Sequence, residues 1–344
     1  MSQQLQILVT GGAGFIGSHY VRELVRGAYP AFAGASVVVL DKLTYAGNEA
    51  NLEPVRDDKR LRLVVGDICD ADLLADLLPM TDVVVHFAAE SHVDRSITGA
   101  AEFTRTNIEG THTLLRACRD AGVGKVVQVS TDEVYGSIDD GAWREDQPLA
   151  PNSPYSASKA GADLLALAYH RTYGLSVCVT RCSNNYGPYQ FPEKMIPLFV
   201  TSLLDGGTVP LYGSGENVRE WLHVDDHCRG VQLVAEGGRA GHVYHIGGGA
   251  ELSNRELTSL LLREVGADWE DAVRRVPDRP GHDLRYAIDC AKIRTELGYR
   301  PRTDFRAGLS DTVRWYAQNR SWWEPLRARP GTTGRAATLL PRGA

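Results

Sequence analysis

A chain of 344 residues with 43% hydrophobic composition is long enough for one large or two modest domains around a substantial core. A formal net charge of -6 with scattered Lys and Arg supplies no basic field for a phosphate backbone, which excludes nucleic acid as an expected partner. No apolar run is long enough to cross a bilayer, the start MSQQLQILVTGG has no leader pattern, and Cys69, Cys118, Cys178, Cys182, Cys228 and Cys290 lack metal-ligand spacing; the expectation is a cytoplasmic protein with reduced thiols, no membrane partner and no metal.

The first predicted strand, LQILV at 5–9, runs into TGGAGFIGSHYVRELV at 10–25, a glycine turn that opens an amphipathic helix. Gly11 permits a tight turn, Gly14 lets backbone approach a diphosphate, and Gly17 lets helix pack closely on strand. A second strand, VVVL at 37–40, leads to Asp41, whose carboxylate can accept both adenosine ribose hydroxyls and repels a 2′-phosphate. The pattern predicts a dinucleotide site for NAD rather than NADP, with Lys42 as a neighbouring charge of the opposite preference. A third strand, LRLVV at 61–65, precedes Asp67, which either bonds the adenine amino group or makes an ordinary strand-end turn.

Further strands are DVVVHF at 82–87, KVVQVS at 125–130 and SVCVTR at 176–181, alternating with helical patterns. The expected fold class is α/β: a Rossmann-type doubly wound parallel sheet, with a smaller mixed α/β domain towards the C-terminus. Past the strand at 125–130 stands VSTDEVYG, with two adjacent acids, Asp132 and Glu133, where ligands bind in such sheets; the alternative is a solvated loop. The helix within 151–174 sets Tyr155 and Lys159 four residues apart on one face, so that an ammonium and a cationic nicotinamide ring favour a phenolate able to take a proton from an alcohol. After about residue 190 glycines and prolines multiply. The expected division is 1–190 mainly for NAD, 191–326 mainly as a smaller domain laid over the sheet, with some exchange of strands and helices, and 327–344 as a loosely ordered tail.

GGAGFIG, Thr131, and Tyr155 with Lys159 are together similar to the extended short-chain dehydrogenase/reductase superfamily. More narrowly, HFAAESHVDRS at 86–96, STDEVYG at 130–136, RCSNNYGPYQFPEKMIP at 181–197 and RPGHDLRYAID at 279–289 resemble the dTDP-glucose 4,6-dehydratases, a likeness that covers residues 5 to about 325. That resemblance implies an NAD-dependent lyase that removes water from dTDP-D-glucose to give dTDP-4-keto-6-deoxy-D-glucose. Tyr155, with Lys159, would serve C4 oxidation and Thr131 would steady the same oxygen, while Asp132 would be the acid and Glu133 the base of the C5/C6 elimination. The resemblance adds Phe15, Ile16, Thr44, Ile68, Ala88, Ala89 and Cys182 to the cofactor contacts. It assigns Ser91, Thr131, Asn184, Glu193, Lys194, Pro210, Tyr212, Arg219, Asn254, Arg279 and His282 to the substrate. His92 either nears the diphosphate or is an interior or dimer-contact histidine.

In similar proteins the helices at 100–121 and 155–173 form a homodimer interface, for which Leu114, Leu115, Leu164, Leu165 and Leu167 are candidates; packing within one subunit is the alternative. Rival functions are a nucleotide-sugar 4-epimerase or decarboxylase of the same superfamily, or a non-catalytic NAD sensor. An epimerase needs no acid and base at C5 and C6, and a sensor needs none of the five catalytic candidates.

Overall fold

Strands β1 (Gln6–Thr10), β2 (Ser36–Asp41), β3 (Leu61–Val65), β4 (Val83–His86), β5 (Lys125–Thr131), β6 (Val177–Cys182) and β7 (Val243–Ile246) form one parallel sheet. Their order in this computed structural model, which describes residues 4–328, is 7-6-5-4-1-2-3. Because β1 pairs with β2 on one side and β4 on the other, the strand order reverses there, and the crevice at the carboxyl ends of β1 and β4 is where a ligand binds in such a sheet. Successive side chains of β1 point to opposite faces. Ile7 and Val9 pack under the helices Phe15–Arg26 and Val224–Gly237, while Leu8 packs under Thr111–Ala121 and Pro154–Tyr173. Both faces are therefore covered, and the strands are almost continuously apolar.

β7 and the helix Val224–Gly237 arise beyond residue 190 yet complete this sheet and its cover. The rest of the later chain builds a three-stranded sheet, with Val218–His223 between Ala250–Ser253 and Asn184–Tyr186, and a parallel pair, Val209–Tyr212 with Val273–Val276. Phe199, Trp221, Leu257, Tyr316 and Trp323 fill the core under it. Of the expected tail, residues 329–344 lie outside the described residues; Arg327 ends a helix, Arg320–Arg327.

The helix expected over 100–121 has a wider-wound middle: α over Ala100–Phe103, π over Thr104–Gly110, and α again over Thr111–Ala121. Such segments gather at functional sites. Here it turns Asn107 inward, where its amide donates to the Glu90 carbonyl at 3.0 Å and Ser158 Oγ at 2.8 Å and accepts from the Glu90 N–H at 2.9 Å. Leu114 and Leu115 are fully buried in their own subunit, at 0% and 1% exposure, which corrects their candidacy for a dimer face. Leu165 and Leu167 are partly buried against the same core, and Leu164 is exposed at 58%.

Candidate active site

Gly14 caps the helix Phe15–Arg26 with no side-chain hydrogen bond, so the first N–H groups of the helix are left for an anion. Gly11 holds φ 68° with Ala88 backbone nitrogen 2.5 Å from where a Cβ would sit, and at Gly17 a Cβ would meet Gly11 O at 2.2 Å. Only glycine fits these two approaches. From this turn a cleft runs along the carboxyl ends of the sheet, and Gly11, Gly14, Phe15, Ile16, Gly17, Asp41, Lys42, Thr44, Asp67, Ile68, Ala88, Ala89, Tyr155, Lys159 and Cys182 all line it. Asp41, buried at the end of β2, accepts from Ala13 N at 2.9 Å and Leu43 N at 2.8 Å. Burial pushes its carboxyl up and the backbone N–H groups counter that. The Lys42 ammonium lies 2.9 Å from Asp67, so its charge is answered away from Asp41. Asp67 also accepts from Cys69 N at 3.0 Å, which makes the turn, and its carboxyl is lowered overall although burial raises it, because Cys69 N–H and Lys42 outweigh burial. The uncapped helix, the close glycines and Asp41 fit a dinucleotide.

β5 ends at Thr131, directly before Asp132 and Glu133. At its end Thr131 Oγ1 accepts from Glu133 N at 3.2 Å, capping a 3₁₀ turn over Asp132–Tyr135, and lies 3.2 Å from Asp132 Oδ1, to which it donates. The turn buries Asp132, at 1% exposure, with Oδ2 lacking a hydrogen-bond partner among the described residues, and both Asp132 and Glu133 line the cleft. Tyr155 and Lys159 lie in the first turns of the helix Pro154–Tyr173, which starts at a Ser153/Ser156 capping box with Pro154 in its first turn. Both are buried; the Lys159 ammonium donates to Val129 O at 2.7 Å. Burial, then Glu133, Cys182 and Asp132, raise the Tyr155 phenol well above its usual range, and a hydrogen bond with Thr131 opposes them. Burial lowers Lys159, and Asp163 one turn further along supports its charge.

The two acids differ in surroundings. Burial raises Asp132 far above a normal carboxyl, and the negative Glu133 and Glu220 add to it. Glu133 is also raised by burial, but the cations Lys194, Arg279 and Arg219 pull it back. Both carboxyls are raised, Asp132 further than Glu133, so a proton is held more firmly on Asp132, the kind of separation an acid and base need.

Ser91, Thr131, Asn184, Glu193 and Lys194 line the same cleft, whereas Pro210, Tyr212, Arg219, Asn254, Arg279 and His282 are not among its lining residues. Asp94 draws several of the latter together: Tyr212 Oη donates to it at 3.2 Å and Arg279 Nη1 at 3.2 Å. The Tyr212 and His282 rings are 6.2 Å apart, and His282 is held down to about 4, chiefly by burial and by Arg279. Arg219 stacks 4.3 Å over Tyr286 and donates to Asp283 O, which also accepts from Asn217 Nδ2; Asn254 N donates to Asn217 O. Pro210 shares a strand with Tyr212. His92 is half-buried and caps the helix Val93–Thr98, its Nδ1 accepting from Arg95 N at 3.4 Å.

Sequence reasoning missed Asp94, Glu220, Asn107 and a buried relay beneath Lys159. In that relay Arg181 Nε donates to Asp163 at 3.0 Å, its Nη1 donates to Tyr135 Oη, and Tyr135 meets His245 Nε2 at 2.7 Å. Asp94, Tyr135 and Arg181 lie inside ESHVDRS, STDEVYG and RCSNNYGPYQ, so the motifs held the signal but not the partners. Among the described residues no group of His, Cys, Asp and Glu is placed to hold a metal ion, and no helix is long and apolar enough to cross a membrane.

A family model described as GDP-mannose 4,6 dehydratase matches residues 8–312. A dTDP-glucose 4,6-dehydratase of Streptomyces niveus is 61% identical over 330 residues, 96% of this chain and 98% of that protein. One of Streptomyces antibioticus is 62% identical over 343 residues, covering 98% of this chain and 99% of its own. The crystal structure of DesIV, the dTDP-glucose 4,6-dehydratase of Streptomyces venezuelae with NAD and TYD bound, superposes with a TM-score of 0.93 at 69% identity, over 94% of this chain and 100% of that one. Likeness of this degree along nearly the whole length, at a cleft of this chemistry, means that the chain belongs to the dTDP-glucose 4,6-dehydratase family.

Proposed function

We propose that the cleft carries out NAD-dependent removal of water from dTDP-D-glucose, giving dTDP-4-keto-6-deoxy-D-glucose. The observation that carries this reading is the pair Asp132 and Glu133, with opposed electrostatic surroundings, beside Tyr155 at the end of β5. Bound along the glycine turn, NAD supplies a hydride acceptor for sugar C4 and then a hydride donor for C6. Tyr155 takes the O4 proton, with the cationic ring and Lys159 opposing the burial and neighbouring acids that raise its phenol, and Thr131 steadies O4. The C4 ketone acidifies the C5 hydrogen, which Glu133 removes. Asp132 gives its proton to the C6 hydroxyl, which leaves as water. Hydride arrival at C6 is completed by a proton returned to C5 from Glu133 or Asp132 in exchange with solvent.

Arg219 and Arg279 suit a diphosphate, since a planar guanidinium can meet two phosphate oxygens, and Asn184, Glu193 and Lys194 suit the sugar and its nucleotide. Residues 1–190 serve mainly the cofactor and 191–326 mainly the nucleotide-sugar, with β7 and its preceding helix exchanged into the first group. The protein works in the cytoplasm as a homodimer, through the exposed Leu164 side of the helix Pro154–Tyr173, and has no nucleic-acid partner. Four buried thiols support the first point and the exposed leucine the second. Mass spectrometry of products from a panel of nucleotide-glucoses tests the function: dTDP-glucose should lose one water with no net NADH, whereas an isomer of unchanged mass would identify an epimerase.

A further inference from the structure

The segment that follows Asp41 is tied at both ends. At its base Leu43 N donates to Asp41, Leu43 is held at φ 53°, and a Cβ on Gly47 would meet Asp41 Oδ1 at 2.7 Å; Asn48 N donates to Ala13 O in the glycine turn. Thr44, Ala46 and Gly47 line the cofactor cleft. Between them Tyr45 turns towards the other segment that lines it. The Tyr45 ring stands edge-on to Phe191 at 5.7 Å, the Arg95 guanidinium lies 3.9 Å over its face, and Arg95 Nε donates to Glu193 at 2.9 Å, itself within hydrogen-bonding reach of Tyr45. Phe191 and Glu193 line the same cleft.

We propose that Tyr45 and Arg95 are positioning residues that fasten the segment beside the ribose-binding Asp41 to the substrate segment at Phe191 and Glu193, and so retain the dinucleotide between the two hydride transfers. The inference rests on the function proposed above, in which the same cofactor molecule must serve C4 and then C6. A cation held over an aromatic ring is a bond between elements that neither could form alone. Neither side chain touches the reacting atoms, so the clasp acts on residence of the cofactor and leaves the chemical steps to the residues at the end of β5.

The test compares the full-length protein with Tyr45→Ala, Tyr45→Phe and Arg95→Gln. NAD retained after gel filtration and the NAD dissociation constant without nucleotide-sugar are measured, and an added NADH oxidase scavenges any reduced cofactor freed during turnover. Tyr45→Ala and Arg95→Gln should weaken NAD binding about tenfold, the factor that ~1.4 kcal/mol of lost contact gives, and should lose NADH to the scavenger. At saturating NAD their kcat should stay near the parent value, and Tyr45→Phe, which keeps the ring, should retain the cofactor. Unchanged NAD binding in both Tyr45→Ala and Arg95→Gln, with the parent retaining its cofactor, overturns the clasp alone. Escape of NADH from the parent protein at each turnover overturns the function on which it rests.

Discussion

Asp132 and Glu133 are neighbours in the chain and both line the cleft, yet Asp132 feels the negative charges of Glu133 and Glu220 while Glu133 feels the positive charges of Lys194, Arg279 and Arg219. Burial raises both carboxyls; repulsion adds to the rise at Asp132, and three cations oppose it at Glu133.

The half-reactions separate on this basis. Tyr155→Phe should abolish C4 oxidation, so bound NAD stays oxidised on mixing with substrate. Glu133→Gln should still oxidise C4 and build up enzyme-bound NADH absorbance, with product formation slowed by roughly 10²- to 10⁴-fold, the usual worth of a positioned acid or base. Normal turnover by Glu133→Gln would remove the C5 base from the mechanism.

Raised carboxyls have a stability consequence with a definite sign. Asp132 binds its proton more tightly folded than unfolded, so its contribution is full below the ordinary carboxylate range and is lost as pH rises towards its raised folded value. Asp132→Asn should therefore melt higher than the parent at pH 8, with the difference shrinking towards pH 4, while dehydration is lost. A melting difference that does not vary with pH counts against the buried proton.

Arg181 and Asp163, both buried, meet at 3.0 Å beneath Lys159. Removing one partner of a buried pair strands the other charge, so Arg181→Ala or Asp163→Ala should cost about 3–5 kcal/mol in denaturant unfolding. Loss of less than about 1 kcal/mol would mean that water or Tyr135 already satisfies the survivor.

Two glycines of one turn should respond differently. Gly17→Ala drives a Cβ into backbone at 2.2 Å and should lower stability by about 1–3 kcal/mol as well as NAD binding. At Gly14 the nearest atom is 3.3 Å away and φ is -76°, so Gly14→Ala should fold almost normally while obstructing the diphosphate. Calorimetric melting with NAD titration distinguishes the two, and equal damage in both assays would contradict their separate roles.

Leu164 is the exposed leucine of the helix Pro154–Tyr173. If that side carries the dimer, Leu164→Asp should shift the protein to monomer mass in light scattering at micromolar concentration, because an ionised carboxylate is costly in an apolar contact. An unchanged mass places the interface elsewhere.

Local sequence settled much of this protein. The strand, glycine turn, helix and terminal Asp41 stand in one contiguous run, and Tyr155 with Lys159 is fixed by helix geometry alone, because each depends on residues no more than a few turns apart. Sequence could not show that β7 at Val243–Ile246 would complete the sheet, that Leu114 and Leu115 would face their own core, or that residues 104–110 would widen into a π segment to turn Asn107 inward. These depend on which surfaces meet. The opposed surroundings of Asp132 and Glu133 belong to the same class: two adjacent acids have nearly equal proton affinities in an open chain. Only the fold brings Glu220, Lys194, Arg279 and Arg219, from segments distant in sequence, close enough in a low-dielectric interior to drive those affinities apart.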